Sequence, residues 1–249
     1  MFSLDKLFDK YSFNARVKPA LFIILPVVVT AYILIEPLRT LLGSLVGIFV
    51  TCGVVNFFAN QMSSAGNELQ IKLFKKWGGA PTTIILRYSD QTVDKYTKQR
   101  YRTKLNKLIP NLKRITESYE MQHPDDADDY YNSASNFMRE YTRNVEKYSL
   151  IFSENIAYGF SRNLLAFKKT AITVIVMSFL ISITFIFLNI SIGLGNINEL
   201  KKVPSSYYVL LAIHIIFLLI WIFMINEKWV KIRGIAYAKR LYAACEDIQ

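Results

Sequence analysis

The chain has 249 residues, is 52% hydrophobic and yet carries a net charge of +11. Ordinary soluble domains seldom combine those properties, so the apolar residues must be gathered in segments of their own. Two histidines and two cysteines leave little for hydrolytic or redox catalysis, and neither a disulfide framework nor a metal-binding spacing is present.

Four apolar runs stand out: Val17 to Ile35, Leu38 to Phe58, Ala171 to Ile192 and Ser206 to Ile225. Past its second residue none of them contains a charge. A helix rises about 1.5 Å per residue against a hydrocarbon core about 30 Å thick, so each run is long enough to span. A signal peptide is the competing reading of the first run, because Lys6, Lys10, Arg16 and Lys18 stand at its entrance. No small-x-small cleavage pattern follows, Asp5 and Asp9 interrupt the basic segment, and the second run begins at once; a retained span is expected. Pro26 removes a backbone donor inside this span and is expected to kink it.

Glu36 and Pro37 close the first two spans into a hairpin. In the second span Gly43 and Gly47 lie four apart, with Ser44, Thr51 and Gly53 nearby, a pattern that lets another helix approach closely. That helix belongs either to the same subunit or to a neighbouring copy. Lys and Arg number 4 at the entrance of the first span, 1 between the first two, 18 between the second and third, 2 between the third and fourth, and 5 after the fourth. Long loops translocate with little regard to charge, but the short loops and both tails agree with the positive-inside rule. The expected protein is an all-α integral membrane protein with both termini cytoplasmic. Its expected parts are an amino-terminal segment (1–16), a transmembrane hairpin (17–58), a basic cytoplasmic domain (59–169), a second hairpin (170–225) and a cytoplasmic tail (226–249).

The middle segment is expected to begin as a helix that prolongs the second span through Lys76 and stops at Gly78 and Gly79. The stretch "WGGAPTTIILR", Trp77 to Arg87, then allows two readings. Gly78 and Gly79 can turn backbone amides toward an anion, Pro81 can open a short helix, Thr82 and Thr83 offer hydroxyls and Arg87 a fork for phosphate. It is equally a helix stop followed by a new element.

Val93 to Ile109 reads as an amphipathic helix, with Tyr101, Leu105, Leu108 and Ile109 at helical spacing. Within and after it Lys95, Lys98, Arg100, Arg102, Lys104, Lys107, Lys113 and Arg114 are interleaved with Tyr96 and Tyr101. Cations neutralise phosphates while tyrosine faces stack bases, as single-stranded nucleic acid requires. Anionic lipid at the inner leaflet is the other reading. "HPDDADD", His123 to Asp129, is expected to be a solvated loop whose last aspartates enter the next helix; His123 beside Asp125 and Asp126 is too sparse for a metal site. From Tyr130 to Lys169 one long helix or two should feed the third span, since only Gly159 interrupts. On it Asn155, Tyr158 and Arg162 lie along one side. His214, deep in the fourth span, is expected to be neutral and bonded to another helix. Neither GxGxxG, GxxxxGK[ST] nor GxSxG occurs, so no enzyme and no cofactor are expected.

"WGGAPTTIILR", "MREYTRN" at Met138 to Asn144 and "ENIAYGFSRNLLAFK" at Glu154 to Lys168 together resemble a family of small bacterial membrane proteins with two spans, a cytoplasmic segment and two more spans. These are the effectors of antiphage defence systems of the Hailong type, which work beside a nucleotidyltransferase partner. The resemblance covers Lys76 to Lys169 by motif and the flanking spans by layout. It implies a homo-oligomeric channel or pore whose opening disrupts the host membrane, under control of a short single-stranded DNA oligomer or nucleotide signal that the nucleotidyltransferase makes. Positions that match its motifs and carry suitable chemistry are Gly78, Gly79, Thr82, Thr83, Arg87, Arg139, Arg143, Asn155, Tyr158, Arg162 and Asn163. Lys98, Arg100 and Arg102 join them from the basic run. A non-conducting scaffold that docks a cytoplasmic protein is the alternative; a secondary transporter has only His214 and Pro26 in its favour.

Overall fold

In the computed structural model, residues 9–110, 114–190 and 203–248 are described. Lys113, the amino-terminal Asp5 and Lys6, and the loop lysines Lys201 and Lys202 lie outside them. The described residues are helical with no strand. Besides two short 3-10 helices, Glu36–Arg39 and Ala244–Asp247, they form ten helices: α1 (Lys10–Leu34), α2 (Leu41–Trp77), α3 (Pro81–Ile84), α4 (Lys95–Leu108), α5 (Glu117–Gln122), α6 (Pro124–Tyr141), α7 (Ser149–Ala166), α8 (Lys168–Ile190), α9 (Ser205–Met224) and α10 (Glu227–Ala243). Both α1 and α9 include a π-helical stretch, Phe13–Val17 and Ile220–Met224. Four of the helices, those carrying the four apolar runs, are long and apolar enough to cross a membrane.

The chain divides into two compact units, Met1–Asn67 with Arg162–Asn226, and Glu68–Ser161 with Glu227–Gln249. In the first, α1, α8 and α9 pack on one another. Phe22 meets Phe217 and Trp221 at 5.1 and 5.7 Å between ring centroids. His214 Nε2 lies 3.0 Å from the Thr30 hydroxyl, with its Nδ1 2.8 Å from the Leu210 carbonyl, so the buried ring is bonded to a second helix. Lys168 donates to the Ile222 and Ile225 carbonyls at 2.9 and 2.7 Å and satisfies the end of α9. Pro26 is accommodated inside α1, where its carbonyl accepts the Thr30 hydroxyl.

In the second unit a hydrophobic core is drawn from Leu86, Tyr101, Leu105, Tyr131, Met138 and Ile151 together with Leu241, Tyr242, Cys245 and Ile248. Residues 227–248 are therefore part of a folded core rather than a loose extension. The division also falls at Asn67 and Arg162 instead of at the ends of the apolar runs.

One local outcome differs from the sequence reading, and a second takes one of the two forms it allowed. The acidic stretch is helical from its second residue: Pro124 sits in the first turn of α6 and Asp125 and Asp126 follow it there, where the aligned peptide dipoles favour negative charge. Between Tyr130 and Lys169 two helices form, parted at Thr142, whose hydroxyl bonds back to the Met138 carbonyl, and at Asn144, whose side chain accepts from the Lys147 amide.

Candidate functional site

Gly78 and Gly79 have φ of +79° and +146°, backbone that L side chains rarely adopt. The Gly79 amide donates to the Phe74 carbonyl at 2.8 Å and the Gly78 amide to Lys75 at 3.4 Å. This is a helix C-cap, and it uses the amides that an anion cradle would need. "WGGAPTTIILR" is thus a helix stop followed by the short helix α3.

The polar groups that follow are locked together. Arg87 Nε donates to Asp128 at 2.8 Å, and its Nη2 to the other oxygen of that carboxylate and to the Gly78 carbonyl. The hydrogen bond to Asp128 holds the Arg87 guanidinium above its ordinary pKa. Thr83 donates to Asn132 at 2.5 Å, Arg139 to the Thr82 hydroxyl at 3.0 Å, and Tyr242 to the Thr82 carbonyl at 2.8 Å. Lys98 is buried, its ammonium bonded to the carbonyls of Arg87 and Asp90 and 3.8 Å from the Asp90 carboxylate. Desolvation pushes its pKa down. Arg102 donates to the Leu86 carbonyl and lies 3.4 Å from the centre of the Tyr88 ring. Glu120 accepts both the Tyr88 amide, at 2.9 and 3.0 Å, and the Tyr131 hydroxyl, at 2.5 Å. Burial raises the Tyr131 phenol and lifts Tyr130 to about 12.

The remaining candidates are distributed. Arg143 is exposed and reaches Glu140 at 3.5 Å. Asn155 and Tyr158 belong to the second unit, where the Tyr158 hydroxyl donates to Gln70 at 3.1 Å. Arg162 and Asn163 belong to the first, where Asn163 accepts from Arg162 and donates to the Ala15 carbonyl at 2.6 Å. On α2, a Cβ at Gly43 would strike the Pro37 carbonyl, at Gly47 it meets only Leu38 at 3.6 Å, and at Gly53 nothing within 4 Å.

What stays open is one side of α4. Tyr96, Gln99, Arg100, Thr103, Lys104 and Lys107 recur at intervals of three and one, a single helical face, and line a groove of about 590 Å³ closed by Glu246. Asp94 caps the helix through the Thr97 amide at 2.9 Å, and Lys98, Tyr101 and Leu105 fix the opposite face inside the core. Tyr96 is 75% exposed. Arg100 meets Glu246 at 2.8 Å, a hydrogen bond that raises the guanidinium's pKa. The basic run therefore has two roles: Lys98 and Arg102 hold the fold, while Arg100, Lys104 and Lys107 present charge around an exposed aromatic ring. Tyr96, Lys104 and Lys107 were separable from their neighbours in sequence only through the 3.6-residue period, with the buried Tyr101 and Leu105 as reference. Among family models, curated proteins and solved structures, none matches the chain.

Proposed function

We propose that the chain is a multi-pass effector of the bacterial inner membrane whose ion permeability is set by a short anionic oligonucleotide bound along the exposed face of α4. The observation that carries this reading is the groove at Tyr96, Arg100, Lys104 and Lys107: three cations on one helical face, able to meet phosphates, beside a ring able to stack on a base. The Hailong-type resemblance and the four membrane-length helices support the same reading. In this arrangement two helix pairs flank the cytoplasmic unit, both termini face the cytoplasm, and several copies surround a pore. The ligand favours one of two arrangements and so sets conduction.

The test is ion flux from liposomes holding the purified protein, with and without short single-stranded DNA oligomers at fixed salt. Flux that changes with one oligomer in the wild type, and no longer responds in the Lys104→Glu, Lys107→Glu double variant, is the expected result. Flux that responds equally in both removes the α4 groove. No flux under any condition replaces the channel with a scaffold that docks a cytoplasmic protein on the same face.

A further inference from the structure

Within the first unit a cleft of about 620 Å³ separates α1 from α2, bordered by Ile23, Val27 and Tyr32 on one side and Gly47, Val50 and Phe58 on the other. Its walls are almost wholly apolar. While α1, α8 and α9 pack together, only 6% of the apolar window of α2 is buried. Such a gap in a bilayer fills with matter that can make dispersion contacts, and water has no polar partners there.

The α1 wall from Ile23 to Tyr32 is about 14 Å long at 1.5 Å per residue, and a cleft of about 620 Å³ along it has room for a hydrocarbon chain. Charge then indicates which lipid. At the end of the cleft marked by Tyr32 and Leu38 stands Arg39, exposed, with Nε donating to the Tyr32 carbonyl at 3.2 Å and Nη2 to that of Ile33. No described residue engages its Nη1. A cation is thus fastened to the backbone of a residue that lines an apolar cleft.

We infer that the cleft between α1 and α2 binds an acyl chain of an anionic phospholipid whose phosphate pairs with Arg39. The small side of Gly47 gives the chain its room, since a Cβ there has one neighbour within 4 Å.

The full-length protein in nanodiscs of phosphatidylcholine with a minor share of phosphatidylglycerol, washed into detergent, provides the test by mass spectrometry of retained lipid. Expected is phosphatidylglycerol enriched about five-fold over its share in the bilayer, the factor given by roughly 1 kcal/mol of charge attraction. Arg39→Gln should lose the enrichment while retaining lipid, Arg39→Lys should keep it, and Gly47→Phe should lower retention of both lipids. Retention in bilayer proportion by the wild type, or enrichment that survives in Arg39→Gln, overturns the proposal. Preferential retention of added oleate over phosphatidylglycerol assigns the cleft to a free fatty acid instead. A lipid-free dimer assigns it to a second copy.

Discussion

Arg87 joins the end of α2 to the start of α6, because one guanidinium holds both the Gly78 carbonyl and the Asp128 carboxylate. The pair's side chains are 23% and 30% exposed, well out of bulk water, so removing one charge leaves the other poorly solvated. Arg87→Gln should cost about 2 kcal/mol, read from urea unfolding of the solubilised protein by the fluorescence of Trp77 and Trp229. A destabilisation below 0.5 kcal/mol would show that the ion pair is incidental. Gly79→Ala should cost about 1–3 kcal/mol, because its φ of +146° is strained for alanine and the new Cβ would stand 2.9 Å from Arg87 Nη2. Among the described residues Glu246 is the one acid that lines the α4 groove, and it competes with any anion for Arg100. Glu246→Gln should tighten binding of a single-stranded DNA oligomer two- to five-fold, with a steeper salt dependence, by fluorescence anisotropy; weaker binding would mean that Glu246 orients Arg100 for the ligand.

Among the elements, those with a strong period were readable in the sequence and those that depend on distant partners were not. Helices carry the four apolar runs, with α1 starting seven residues before Val17 and with Ser191 and Ile192 outside the described residues, and α4 falls within two residues of its expected ends, since length and periodicity specify them. The α2 stop was readable too, because two adjacent glycines have few other uses at a helix end. By contrast α10 mixes Lys228, Lys231, Arg233, Lys239 and Arg240 with buried Val230, Ala238, Leu241 and Tyr242, which makes it look like a solvated tail until its neighbours are known. The same limit hid the partners of Arg87 and Lys98: a sequence shows that a cation is there, not that a carboxylate 41 positions on will neutralise it. Packing of the carboxy-terminal turn makes a further prediction. Burial lifts the Cys245 thiol from 9.0 to about 12, so its thiolate is about one part in ten thousand at pH 8. In a Cys52→Ser background, maleimide labelling of Cys245 should be slow and should accelerate about ten-fold per pH unit until near 12. The folded state holds this proton more tightly than the unfolded chain, so the thiol's contribution to stability is complete below about pH 9 and is lost between about 9 and 12. Rapid labelling at pH 8 without denaturant would mean that the turn opens readily.

For the molecule as a whole, each of the two units is built from separated stretches of chain. Deleting residues 227–249 removes Leu241, Tyr242, Cys245 and Ile248 from the core of the second unit and the partner of Lys76 and Trp77, whose side chains bond Glu227 at 2.7 and 2.9 Å. The truncated protein should show protease cleavage throughout 68–161 while the apolar helices of the first unit remain protected; an unchanged digestion pattern would mean that the second unit is stable without α10.

The shared core also sets a timetable for biogenesis. Residues 68–161 leave the ribosome early, but the side chains that complete their core are not made until α10 follows, 66 positions after Ser161. At about 5–20 residues per second that is a delay of roughly 3–13 s, during which α8 and α9 are synthesised and become available for insertion. A half-built domain with exposed Tyr131, Met138 and Leu105 must wait through that interval. The nascent chain is thereby bound to an order in which α8 and α9 are made before the second unit can mature, and on the proposed function the α4 face would be completed last.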